Sequence, residues 1–236
     1  MATKRSSGSG SKTRGKPSGD LRAEILSAFA AHWSEEGRAP RSVPRFCKAI
    51  GATEAEFYKH FPSLHAVEKA FWGDWIAGTI AAVGQGGDWE GFSARERYLA
   101  FLFAAVQSAS ERRSLLLERF HGILPVSNPG ELEGLRTNFL AFARQLVERG
   151  IETGEIADRR GISSLYPGIL YIHLRWVVDH YLKDESEGFE RTDAFIEKTV
   201  ALAFDLFRSQ AIDSAADLLR FLLPGNPWSG CSGGAK

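Results

Sequence analysis

SVPRFCKAIGATEAEFYKHF, residues 42–61, decides the fold. Val43, Phe46, Cys47 and Ile50 recur at helical spacing, so the first half predicts a short helix with one apolar face. Gly51 stands where a helix end needs a left-handed residue. Thr53 followed by Glu56 three residues on is a capping box, which opens a second helix. Phe57, Tyr58 and Phe61 supply that helix's apolar anchors, and Pro62 stops it. Two short helices around a tight turn form a helix-turn-helix, in which the first braces the second against a DNA major groove.

The flanking segments extend this reading. Upstream, Ile25, Leu26, Phe29 and Trp33 share one helical face, and Gly37 ends it. Downstream, Ser63 caps a helix carrying Val67, Ala70, Phe71, Trp75 and Ile76. The order and spacing resemble the tetracycline-repressor-like (TetR) family of bacterial regulators. That family opens on a pattern close to ILxAAxxLFxxxG, here ILSAFAAHWSEEG at 25–37. T-V-x-x-I-A-x-x-A-G-V-S follows, here SVPRFCKAIGAT at 42–53, and then a Tyr-x-x-Phe pair, here Tyr58 and Phe61. The resemblance implies an all-α chain. Its parts would be a basic arm over 1–20, a three-helix DNA-binding domain with the helix-turn-helix over 21–62, a larger helical ligand and dimerisation domain over 63–223, and a flexible tail over 224–236.

Composition is compatible with this plan. The 236 residues are 44% hydrophobic, enough to bury a core. Two cysteines, Cys47 and Cys231, offer no disulfide framework and no metal spacing, which suits a reducing cytoplasm. The five basic residues within 1–17 have no apolar segment after them, so they are not a secretory signal. They read equally as a phosphate-contacting arm or as a solubilising leader. No nucleophile elbow, phosphate-binding glycine loop or zinc spacing is present, so neither an enzyme nor a cofactor is expected.

Beyond residue 84 the pattern stays helical. Ser93 and Glu96 make a second capping box, and further helices are expected at 115–124, 132–150, 165–182, 195–207 and 212–223. Phe101, Phe120, Phe139, Phe142, Tyr171 and Trp176 can line an apolar cavity for a small apolar or aromatic ligand, with Arg175 orienting a polar head. The same aromatic stripes also fit plain core. His173 and His180 stand seven apart, about 10 Å along a helix and too far to share a metal ion. The helices at 165–182 and 195–207 carry more apolar surface than one core face needs, the pattern of a homodimer's four-helix seam.

In the family, the second short helix enters the major groove. The residues carried over are Ser42, Thr53, Glu54, Glu56, Tyr58, Lys59 and His60, with Tyr58 matching the family's phosphate-contacting tyrosine. Glu54 and Glu56 depart from the small residues usual there, and carboxylates oppose phosphate. From 21 to 75 the chain holds seven basic and seven acidic side chains, so affinity for DNA would lean on the arm. Two functions follow. The first is a dimeric cytoplasmic regulator that binds a palindromic operator and responds to a ligand. The second is a protein of the same fold without DNA binding, resembling the lipid-handling accessory factors of ubiquinone biosynthesis. Its peripheral lipid contact would run through 212–223, whose apolar face includes Ile212, Leu219, Leu222 and Leu223.

Overall fold

The computed structural model describes residues 18–120, 129–159 and 161–209. The basic arm over 1–17, the segment 212–223 and the tail therefore lie outside the described residues. Within them the secondary structure is helical throughout, in nine α-helices with single 3₁₀ turns between some of them. The chain divides into two compact units, one up to Val67 and one from Glu68 onward, with the division falling inside α4 (Leu64–Gly84).

The first unit holds α1 (Ser18–Glu36), α2 (Val43–Ala49) and α3 (Glu54–His60). Gly37 follows α1 at φ +66° and Gly51 follows α2 at φ +69°, left-handed positions that a side chain would strain. Pro44 lies in the first turn of α2, where its missing N–H is no loss. Ile25, Phe29 and Trp33 of α1, Phe46 and Cys47 of α2, and Phe57 of α3 are buried. Phe57 anchors α3 by meeting Phe46 edge to face at 6.3 Å and Phe61 at 6.3 Å.

In the second unit α5 (Ala94–Ser110), α7 (Glu133–Glu152), α8 (Tyr166–Lys183) and α9 (Glu190–Arg208) pack around one core, with α6 (Arg113–Phe120) against α8. The expected capping box forms at α5, where the Ser93 hydroxyl accepts from Glu96 N–H and the Glu96 carboxylate accepts from Ser93 N–H. Asp184 starts α9: its carboxylate accepts from the N–H and O–H of both Ser186 and Thr192, which holds it well below the usual carboxylate range. Arginines close the far ends of the last two helices. Arg113 donates to the carbonyls of Tyr181, Leu182 and Asp184, and the buried Arg159 donates to those of Phe207 and Ser209.

A polar chain crosses this core. The Tyr98 hydroxyl of α5 lies 2.8 Å from His173 Nδ1 of α8, and His173 Nε2 lies 2.7 Å from Thr199 Oγ1 of α9. The Tyr98 O–H also reaches the Leu170 carbonyl at 3.0 Å and the Thr199 O–H the Phe195 carbonyl at 2.6 Å, so the imidazole between them has a polar partner at each nitrogen. Burial raises the Tyr98 phenol and lowers His173 from 6.5 to about 4. Between those two values the unfolded chain binds a proton that the folded chain refuses, so stability falls as pH drops from 6.5 toward 4. At 1.36 kcal/mol per unit the loss approaches about 3 kcal/mol. Chemical denaturation across this range is expected to show the slope, and His173→Gln to flatten it.

Candidate functional site

The helix-turn-helix presents a narrow outward surface. Thr53 sits in extended backbone before α3 and its hydroxyl accepts from Glu56 N–H at 3.2 Å. The Glu56 carboxylate in turn accepts from Thr53 N–H at 2.9 Å and from its hydroxyl at 2.8 Å. Those bonds, the backbone one foremost, hold Glu56 below its ordinary range. Glu56 is therefore occupied at the helix start, which leaves Glu54 as the acid that faces outward. Ser42 precedes α2 in extended backbone and makes no cap with its side chain.

Tyr58, expected among the apolar anchors of this helix, is not buried. It is 52% exposed, touching the Phe57 ring edge to face at 5.4 Å, so it does not bridge helices from inside. Lys59 is exposed beside it and His60 is half-buried, both in the last turn of α3. With Phe57 inward, the helix turns Glu54, Ala55, Tyr58 and Lys59 to solvent. A tyrosine O–H and an ammonium are suited to phosphate oxygens, and a carboxylate accepts from a cytosine amine.

In the second unit most of the predicted aromatics meet. Phe101 lies 5.5 Å from Phe139 and 5.0 Å from Phe142, and Tyr171 lies 6.0 Å from Phe139. These rings touch, so a ligand among them needs the rings to part. Phe120 and Arg175 form a separate pair, with the guanidinium 5.0 Å above the ring and Arg175 only 1% exposed. Asp179, four residues beyond Arg175, pairs with Lys183 at 2.7 Å. Trp176 stands apart from the cluster, 51% exposed.

One arrangement had no local signal in the sequence. Buried Glu68 accepts from Trp72 Nε1 at 3.3 Å and pairs with Arg119, a partner 51 positions away. The apolar excess expected on the helices at 165–182 and 195–207 is seen as an exposed apolar face. Leu165, Ile169 and Trp176 of the α8 segment and Leu202 and Leu206 of α9 are solvent-facing, whereas Ile196, Val200, Phe204 and Phe207 of the same α9 are buried.

The model of the tetracyclin repressor-like C-terminal domain matches residues 97–222. A comparison with curated proteins finds no match. Among solved structures, a TetR-family protein from Syntrophomonas wolfei superposes with a TM-score of 0.59 at 15% identity, over 82% of this chain and 97% of the other. The fatty acid degradation regulator FadR of Bacillus halodurans gives 0.54 at 16% identity, over 77% and 97%. The reduced form of E. coli NemR gives 0.51 at 18% identity, over 76% and 97%. At these identities the likeness is one of fold.

Proposed function

The chain belongs to the tetracyclin repressor-like family, and from that membership we propose that it is a transcriptional regulator that binds operator DNA as a homodimer and responds to a small apolar or aromatic ligand. The observation that carries the reading is α3 itself, anchored by buried Phe57 while it turns Tyr58 and Lys59 to solvent. A helix kept only for packing has no need of a half-exposed tyrosine there.

In this function Ser42, Tyr58, Lys59 and His60 contact the operator backbone, Thr53 and Glu56 shape the start of α3, and Glu54 reads a base edge. The exposed face of α8 and α9 pairs two copies, because five large apolar side chains facing water on neighbouring helices need a cover. The ligand binds against the Phe101, Phe139, Phe142 and Tyr171 cluster, and Arg175, one helical turn beyond Tyr171 on α8 and stacked on Phe120, orients a polar head. A ligand of this kind switches DNA binding only by preferring one of two conformations. The lipid-handling alternative rests on residues 212–223, outside those described. Among the described residues no helix is long and apolar enough to cross a membrane.

Selection of random duplexes with the intact protein tests this function, and a recovered palindromic motif is expected. Glu54→Ala is then expected to relax one position of the motif, by the roughly 1–3 kcal/mol that a good side-chain–base pair contributes. Tyr58→Phe is expected to weaken all sites alike, since it removes a backbone contact. Recovery of no motif by the folded protein sinks the regulator reading.

A further inference from the structure

From 21 to 75 charge is balanced in number but not in place. A cavity of about 310 Å³ opens between the end of α1 and the start of α2, lined by His32, Arg38, Arg41, Ser42, Arg45 and Phe46 among others. None of its lining residues is acidic, although the surrounding stretch holds as many acids as bases. Among the described residues, Arg38, Arg41 and Arg45 enter no hydrogen bond or ion pair and are exposed. Local geometry fixes where they start. Gly37 at φ +66° turns the chain out of α1, buried Pro40 restricts the connection, and Phe46 is buried beside Arg45.

Three exposed guanidiniums around a cavity with no acidic lining residue suit an anion with several oxygens, because each presents a planar fork of donors that fits two phosphate oxygens. Carboxylates on α3 work against phosphate, so the sequence-independent affinity must come from another surface.

We propose that this cavity grips phosphates of the operator backbone and supplies most of the sequence-independent affinity that residues 21–67 add to that of the basic arm. The proposal rests on the DNA-binding reading above and adds to it the surface that holds the phosphodiester. Base preference then belongs to α3, and grip belongs to Arg38, Arg41 and Arg45.

The test is fluorescence anisotropy of the full chain with its selected duplex over a series of salt concentrations. For every phosphate that is no longer neutralised, the log–log salt slope shallows by about 0.9. The triple variant Arg38→Gln, Arg41→Gln, Arg45→Gln is expected to shallow it by about two to three per reading head and to weaken binding at least a hundredfold. Its motif should stay unchanged. The matching triple lysine variant, which keeps the charges, is expected to recover most of the slope, and circular dichroism checks that both variants fold. Undiminished affinity and slope in the glutamine variant overturn the proposal while leaving the regulator reading intact. If the intact protein binds no duplex, that reading has failed, and titration with inorganic phosphate and a phosphodiester dinucleotide judges the cavity alone. Saturable binding that the glutamine variant loses supports a phosphate site, and no binding overturns it.

Discussion

Leu202→Glu is expected to turn the proposed dimer into a folded monomer. Leu202 is 58% exposed in the single chain, so its replacement removes nothing from that chain's core. In a two-fold seam each substitution appears twice, and two carboxylates are then drawn out of water without partners. At about 1.4 kcal/mol per factor of ten, association should weaken by well over a thousandfold. Light scattering across a concentration series reads the change, and an unaltered helical spectrum shows that the fold survives. Val200 and Phe207, which the apolar stripe at 195–207 also suggested as seam residues, behave differently. Both are buried inside the single chain, so a glutamate at either unfolds it rather than separating two copies. An unchanged dimer from Leu202→Glu and from Trp176→Glu would remove α8 and α9 from the interface.

Gly134→Ala is expected to be among the most destabilising single substitutions in the second unit. A Cβ at Gly134 would overlap the Lys69 carbonyl oxygen and stand 3.3 Å from Gly73 Cα, so α4 and α7 meet backbone to backbone. Asn138 fastens the same crossing by donating to the Gly73 carbonyl at 2.9 Å, and Lys69 pairs with Glu133 beside it. The carbonyl belongs to a helix and cannot swing aside as a side chain can. One methyl therefore has to push the two helices apart, at a cost above about 3 kcal/mol, the upper end for overpacking. Gly73→Ala, with 3.3 Å to Gly134, should cost less. Gly168→Ala meets nothing within 4 Å and should be neutral or stabilising. Thermal melts of the three variants check the order, and a Gly134→Ala melt equal to that of Gly168→Ala would refute the close crossing.

What sequence disclosed here was local. The turn at Gly51 and the Thr53–Glu56 box involve residues at most three apart, and both appear as expected. The helices of the second unit also fall close to their apolar periods, with α8 at Tyr166–Lys183 against an expected 165–182. Facing was harder to read. Leu165 to Leu182 is apolar around most of its girth, so periodicity cannot separate core-facing Leu170 and Leu174 from water-facing Ile169 and Trp176. Charge was harder still. A count of seven against seven says nothing about three arginines that share one cavity, because α1 and its turn bring them together. Partners remote in the chain, such as Glu68 and Arg119 or Tyr98 and His173, leave no periodic trace at all.

The arginines at the ends of α8 and α9 bear on how two copies would come apart. A helix C-terminus ordinarily frays, because its last carbonyls have only water to bond, and a frayed end lets an interface peel turn by turn. Here the Arg113 guanidinium also lies 4.7 Å over the Tyr181 ring and 4.9 Å over that of Phe189, while Arg159 holds the Tyr166 hydroxyl at 2.7 Å. To loosen the last turn of α8, the chain must release α6 as well, and to loosen that of α9 it must release the start of α8. Peeling is thus denied its starting point. Amide exchange at both helix ends would be governed by the same rare opening as the middle of each helix, and separation of two copies in the proposed dimer would be a single all-or-none event with no half-zipped intermediate.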